Sequence, residues 1–132
     1  MCDILVENYI RDNLDTIDWA DISYEPLSEN FIREFQDKAD WYWVSNSQKF
    51  SEKFLREFQD KLNWDDVSHY QKLSENFIRE FQDKLDWKDI SIRQKLSREF
   101  ILEFIDKLDL NYVLDCQDLD QETREYLKLL KG

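Results

Sequence analysis

Four aspartates, Asp12, Asp15, Asp18 and Asp21, recur at every third residue near the start of the sequence. A row of carboxylates is the raw material of a calcium site or of a hydrolytic carboxylate pair. A calcium loop of the EF-hand kind, however, alternates its acids around a central glycine, and the one glycine here is Gly132. The spacing therefore reads as a solvated acidic face, and a hydrolase would need folding to join Asp18 and Asp21 with raised pKa values. The single histidine, His69, has no cysteine or histidine at metal-ligand spacing, so it reads as a solvent-facing helical residue. A lone glycine also leaves no phosphate-cradling loop, and no GxSxG string is present. The expectation is a protein that is not an enzyme, with no catalytic, cofactor-binding or metal-binding residues.

Composition narrows the partners. Acids outnumber bases 30 to 18, for a net charge of −12, which repels nucleic-acid phosphates and anionic lipid alike. Residues 1–26 hold seven acids and one base, so half of the net charge sits at one tip. Cys2 and Cys116 are far apart with no CxxC, which suits reduced thiols in a cytosol-like compartment. The stretch Met1 to Ile10 carries Asp3 and Glu7 and lacks the basic start and apolar run of a secretion signal. No segment reaches the roughly 20 apolar residues that span a bilayer. A cytoplasmic location is expected.

One glycine and one proline in 132 residues leave little for β-turns, while Leu, Lys, Glu, Gln and Arg favour helix. The elements that position any site are repeats. LSENFIREFQDKADW, from Leu27 to Trp41, returns as LSENFIREFQDKLDW from Leu73 to Trp87, with FSEKFLREFQDKLNW between them and LSREFILEFIDKLDL after them. Leu27, Phe50, Leu73, Leu96 and Leu119 mark a period of 23. A divergent first copy, LVENYIRDNLDTIDW, runs from Leu5 to Trp19, and its following loop, Ser23-Tyr24-Glu25-Pro26, is one residue shorter than its counterparts. The reading is one helical-repeat domain over 1–132, made of repeats 5–26, 27–49, 50–72, 73–95 and 96–118 and a terminal half repeat, 119–132. Repeats of this length bury their apolar faces only against their neighbours.

Leu27, Phe31, Phe35 and Ala39, with Ile32 beside them, form one stripe of a first helix. Ser28 is its expected N-cap, and Ser51, Ser74 and Ser97 repeat the signal. Asp40, Asn63 and Asp86 are expected to cap a short second helix, whose apolar contacts are Trp41 and Val44, Trp64 and Val67, Trp87 and Ile90, one turn apart. The fold class expected is all-α: an α-solenoid of two-helix repeats with atypical capping units at both ends, Thr123 replacing the core phenylalanine at the last.

Rows of equivalent residues follow. Phe31, Phe54, Phe77 and Phe100 read as core rather than as base-stacking platforms. Gln48, Gln71, Gln94 and Gln117 are expected to satisfy backbone groups at the turns between repeats; an amide-lined binding groove is the alternative. Glu34, Glu57, Glu80 and Glu103, and Asp37, Asp60, Asp83 and Asp106, make acidic rows that would mimic phosphates. Interleaved Arg33, Arg56, Arg79 and a lysine row argue instead for salt-bridged faces, with Glu34 and Lys38 at i,i+4.

Departures from the repeat are more pointed. Tyr42-Trp43 stands where other copies have Asp65-Asp66 and Lys88-Asp89, and Tyr112 falls in register with Trp43. Exposed aromatics anchor interfaces; the competing reading folds Trp43 back over the core.

LSENFIREFQDKLDW, with the IS-x-x-Q that follows it, resembles short tandem repeats of giant DNA viruses of amoebae and of some phages. The resemblance spans residues 5–118 and implies a helical array and a viral source, hence host cytoplasm, with no catalytic residue to carry over. Leu110 in place of tryptophan and the divergent first copy depart from the pattern. The functional expectation is an acidic repeat protein that binds another protein through Tyr42, Trp43, Tyr112 and the acidic tip of Asp12, Asp15, Asp18 and Asp21. The alternative is a nucleic-acid-mimicking decoy whose partner is a basic nucleic-acid-binding protein of host defence or replication.

Overall fold

The computed structural model describes residues 4–22 and 25–132; Cys2, Ser23 and Tyr24 lie outside the described residues. The described chain is all-α and divides into two compact units, Met1–Tyr70 and Gln71–Gly132. The first holds α1 (Ile4–Asp12), α2 (Trp19–Ile22), α3 (Glu29–Glu34), α4 (Trp41–Ser47), α5 (Glu52–Glu57) and α6 (Trp64–Tyr70). The second holds α7 (Glu75–Glu80), α8 (Trp87–Arg93), α9 (Arg98–Glu103), α10 (Leu110–Cys116) and α11 (Gln121–Lys131). Within each unit, equivalent helices of successive repeats lie side by side, α4 on α6 and α8 on α10, with α11 closing on α10.

Serine starts each first helix as its spacing predicts. Ser28, Ser51, Ser74 and Ser97 are extended and accept from the N–H three residues on. Asp40, Asp86 and Asp109 cap the second helices in the same way, and Asn63 Oδ1 accepts from Asp66 N–H at 3.2 Å. The first helices are shorter than the apolar stripe suggests. Regular α-helix ends at Glu34, and residues 35–38 continue as tight turns. Side chains then satisfy the freed carbonyls. Gln36 donates to Arg33 O at 3.1 Å, and the Trp41 ring N–H donates to Gln36 O at 2.9 Å. Gln59 with Trp64 and Gln82 with Trp87 do the same.

The core follows the stripe. Phe31, Phe54, Phe77, Phe100 and the residue after each are fully buried. Tryptophans then cover the next repeat within each unit: Trp41 stacks on Phe58 at 5.1 Å and Trp87 on Phe104 at 5.2 Å. Burial of whole aromatic rings is the largest single apolar contribution available to a chain of this size.

The glutamine row closes the turns, as expected, by reaching back one repeat. Gln48 Oε1 accepts from Leu27 N–H at 3.1 Å while its amide donates to Glu25 O at 2.8 Å. Gln94 does the same with Leu73 N–H and Gln71 O, and Gln117 with Leu96 N–H and Gln94 O. Gln94→Ala therefore strands a buried N–H and a buried C=O. It should lower the free energy of unfolding by roughly 2 to 6 kcal/mol in urea titration, from about 1 to 3 per orphaned group. Lys95→Ala, at an exposed neighbour, should stay within about 0.5 kcal/mol of the parent.

Candidate functional site

Whether a surface charge is available to a partner depends on what the array already does with it. In each compact unit the first helix of a repeat hands an arginine to the next. Arg11 grips Glu34 at 3.1 Å, Arg33 grips Glu57 at 2.9 Å and Arg79 grips Glu103 at 2.9 Å. The same guanidiniums lie 5.1 to 5.3 Å over the rings of Phe31, Phe54 and Phe100. Each arginine thus bridges a surface carboxylate and a core ring, with cation–π attraction added to the ion pair. Lys61 and Lys107 reach Asp37 and Asp83 at 3.8 and 3.9 Å. These pairs run between repeats, whereas the spacing of Glu34 and Lys38 pointed within one helix; an i,i+4 pair on α3 is Arg33 with Glu29, at 4.0 Å. Lys38 cannot serve as an i,i+4 partner because α3 has ended by then.

A further carboxylate row is missed by sequence reasoning. Glu7 accepts from Ser28 N–H at 2.7 Å, Glu29 from Ser51 N–H at 2.6 Å and Glu75 from Ser97 N–H at 2.6 Å, each also taking the serine hydroxyl. The Ser-Glu dipeptide at each helix start was the available signal, but its partner lies 21 or 22 residues away. At the last junction the polarity is reversed: the glutamate position holds Arg98 and the serine position Asp120. Asp120 accepts from Thr123 N–H at 2.7 Å, and Thr123 first and Arg98 further hold its carboxyl below the usual range.

The anticipated aromatic site divides. Tyr42 is 55% exposed and meets Trp43 edge to face, with ring centroids 5.4 Å apart. Trp43 itself is half-buried, as are Asp66 and Asp89 in the same register, so it lies along the flank of α4 rather than fully in solvent. Tyr112, in the second compact unit, is half-buried with the Lys88 ammonium 5.3 Å from its ring centre. Asp12, Asp15, Asp18 and Asp21 are all exposed. They are spread over the end of α1, the turn after it and α2, so they do not share one helix face.

His69 is half-buried with its ring 4.4 Å from that of Tyr70, and Cys116 is an exposed free thiol. Among the described residues no group of three His, Cys, Asp or Glu side chains converges as a metal site would require, and no helix is long and apolar enough to cross a membrane. Exposed apolar side chains that the sequence reading did not expect at the surface are Leu5, Tyr9, Tyr70, Tyr126, Leu129 and Leu130.

Comparison with protein-family models, with curated proteins and with solved structures yields no match.

The Arg79 hydrogen bond, ahead of its charge, holds the Glu103 carboxyl below its ordinary 4.5. A lowered folded-state value stabilises the protein above the unfolded pKa, and that contribution disappears as pH falls through the folded one. In a carboxyl-resolved NMR titration, Arg79→Ala should move the Glu103 midpoint up toward 4.5. An unmoved midpoint would mean that the pair does not form in solution.

Proposed function

We propose that this chain is a non-enzymatic, acidic helical-repeat protein that binds another protein, with Tyr42, Trp43 and the acidic first repeat as its contact surface. The observation that carries the reading is the Tyr42-Trp43 pair. Two aromatic rings lock edge to face on α4, one of them 55% exposed, where the duplicated repeat supplies Asp65-Asp66 and Lys88-Asp89. Trp41, two residues before Trp43, is spent on Phe54 and Phe58, so the added rings are surplus to the repeat. Rigid aromatics of this kind supply anchor area at low entropic cost. Tyr112, under Lys88, is a third contact candidate in the other compact unit. The viral source implied by the repeat resemblance makes the partner a host protein.

A second reading, a decoy that occupies the nucleic-acid channel of a basic host protein, is favoured by the exposure of Asp12, Asp15, Asp18 and Asp21 together. It is weakened by the arginines and lysines that occupy Glu34, Glu57, Glu103, Asp37 and Asp83. Capture from host lysate separates the two. Under the first reading Trp43→Ala loses a salt-resistant partner at least tenfold. Under the second, a basic protein elutes with salt and is lost when Asp12, Asp15, Asp18 and Asp21 become asparagine. Unchanged capture by both variants would overturn both readings.

A further inference from the structure

An aromatic ring and a carboxylate repeatedly hold a base between them in this chain. Arg11 lies over Phe31 and pairs with Glu34, Arg33 lies over Phe54 and pairs with Glu57, and Arg79 lies over Phe100 and pairs with Glu103. On the second helices of Gln71–Gly132 the base is a lysine, Lys88, with its ammonium 5.3 Å from the centre of the Tyr112 ring. A guanidinium fits such a place well, because its flat face stacks on the ring while its edge donates to the carboxylate.

The second helices of Met1–Tyr70 carry the rings and the carboxylates without the base. α4 packs on α6 in the register that α8 keeps with α10. The same tie sets both, since Ser45 Oγ accepts from Asn63 N–H at 3.0 Å and Ser91 Oγ from Asp109 N–H at 3.0 Å. In that register Tyr42 stands at the position of Lys88, and Asp66 at that of Tyr112. A cation beside a ring in one unit is therefore a ring beside a carboxylate in the other. Trp43 adds a second ring, edge to face with that of Tyr42. Asp40 Oδ1 accepts from Tyr42 N–H at 3.1 Å and Trp43 N–H at 3.4 Å, which fixes an exposed carboxylate at the base of the pair. α2, α4, α6 and the residue before each hold five aspartates, Asp18, Asp21, Asp40, Asp65 and Asp66, and no lysine or arginine. α8 by itself holds two bases, Lys88 and Arg93.

We propose, resting on the contact surface named under the proposed function, that Tyr42 and Trp43 take an arginine side chain of the partner protein. Its guanidinium lies flat on the rings, with its edge turned to the carboxylates of Asp40, Asp65 and Asp66. An arginine-bearing segment is the occupant that matches on both counts, ring and charge. An acidic segment would meet like charge on α6, and a purely apolar one would cover those aspartates without pairing them, at a desolvation cost. The site lies on α4 and α6 and needs none of Asp12, Asp15, Asp18 and Asp21.

An NMR titration of the full-length protein with the peptide acetyl-Gly-Gly-Arg-Gly-Gly-amide tests this, against the same peptide carrying citrulline, which keeps the planar shape and drops the charge. The Trp43 indole N–H and the backbone amides of α4 and α6 should shift saturably with the arginine peptide. The citrulline peptide should bind about fivefold more weakly. Tyr42→Asp combined with Trp43→Asp gives α4 the residues that α6 already carries at the same positions, adding two carboxylates and removing both rings. Attraction by charge alone would tighten binding in that variant, whereas loss of the rings should weaken it about fivefold, read on the Asp65 and Asp66 amides. Tyr42→Leu, at an exposed position, removes one ring and should weaken binding about twofold. Circular dichroism checks that each variant keeps its helix. Equal response to the two peptides, a double variant that binds as tightly as the parent or tighter, or shifts confined to the amides of Asp12, Asp15, Asp18 and Asp21 would each overturn the proposal. If a host partner is nevertheless lost with Trp43→Ala, the contact surface stands and arginine is removed as what it takes.

Discussion

A six-residue helix has fewer internal hydrogen bonds than unsatisfied ends, and the first helix of each interior repeat, such as α3 or α5, is no longer than that. Helices this short are unstable alone in water. Everything else in the structure follows from completing them. Serine and glutamate cap their starts, glutamine and a tryptophan ring N–H close their ends, and a buried glutamine from the next repeat ties the turn that leads into them. Most of these bonds cross from one repeat to the next, so a single repeat is neither an apolar core nor a satisfied backbone without its neighbour.

The same need governs the surface. Arginines that look like half of a solvated face are engaged twice, by a carboxylate and by the ring of a core phenylalanine. Exposed ion pairs contribute little to stability one by one, and here their larger consequence is positional. They hold successive helices in register and remove carboxylates from the pool available to a partner. What remains exposed is concentrated where the repeat is interrupted: the aromatic pair on α4 and the aspartates of the first repeat.

Duplication gives the departures their weight. A residue shared by every copy is explained by the fold, while Tyr42-Trp43, Arg98 with Asp120, and Leu102 with Tyr126 are changes that the interior repeats do without. The Arg98 and Asp120 exchange puts opposite charges where a glutamate would meet an aspartate cap and repel it. The exchange to Leu102 and Tyr126, at the positions of Arg79 and Glu103, replaces an ion pair by apolar surface and leaves a cleft, which the same stabilising logic does not account for.

The sequence by itself determined the all-α class, the 23-residue period, the helix starts at serine and aspartate, the buried phenylalanine row and the glutamine ties. Each of these rests on local capping or on a periodicity that every copy repeats. Only the tertiary structure decided which charges are spent, how deeply Trp43 sits and where apolar residues stay in water. The reason is that these depend on a neighbouring repeat rather than on residue type. Leu5 and Leu27 are the same amino acid in the same register, yet one is 79% exposed and the other 7%, because burial is set by what packs over a side chain and not by its type.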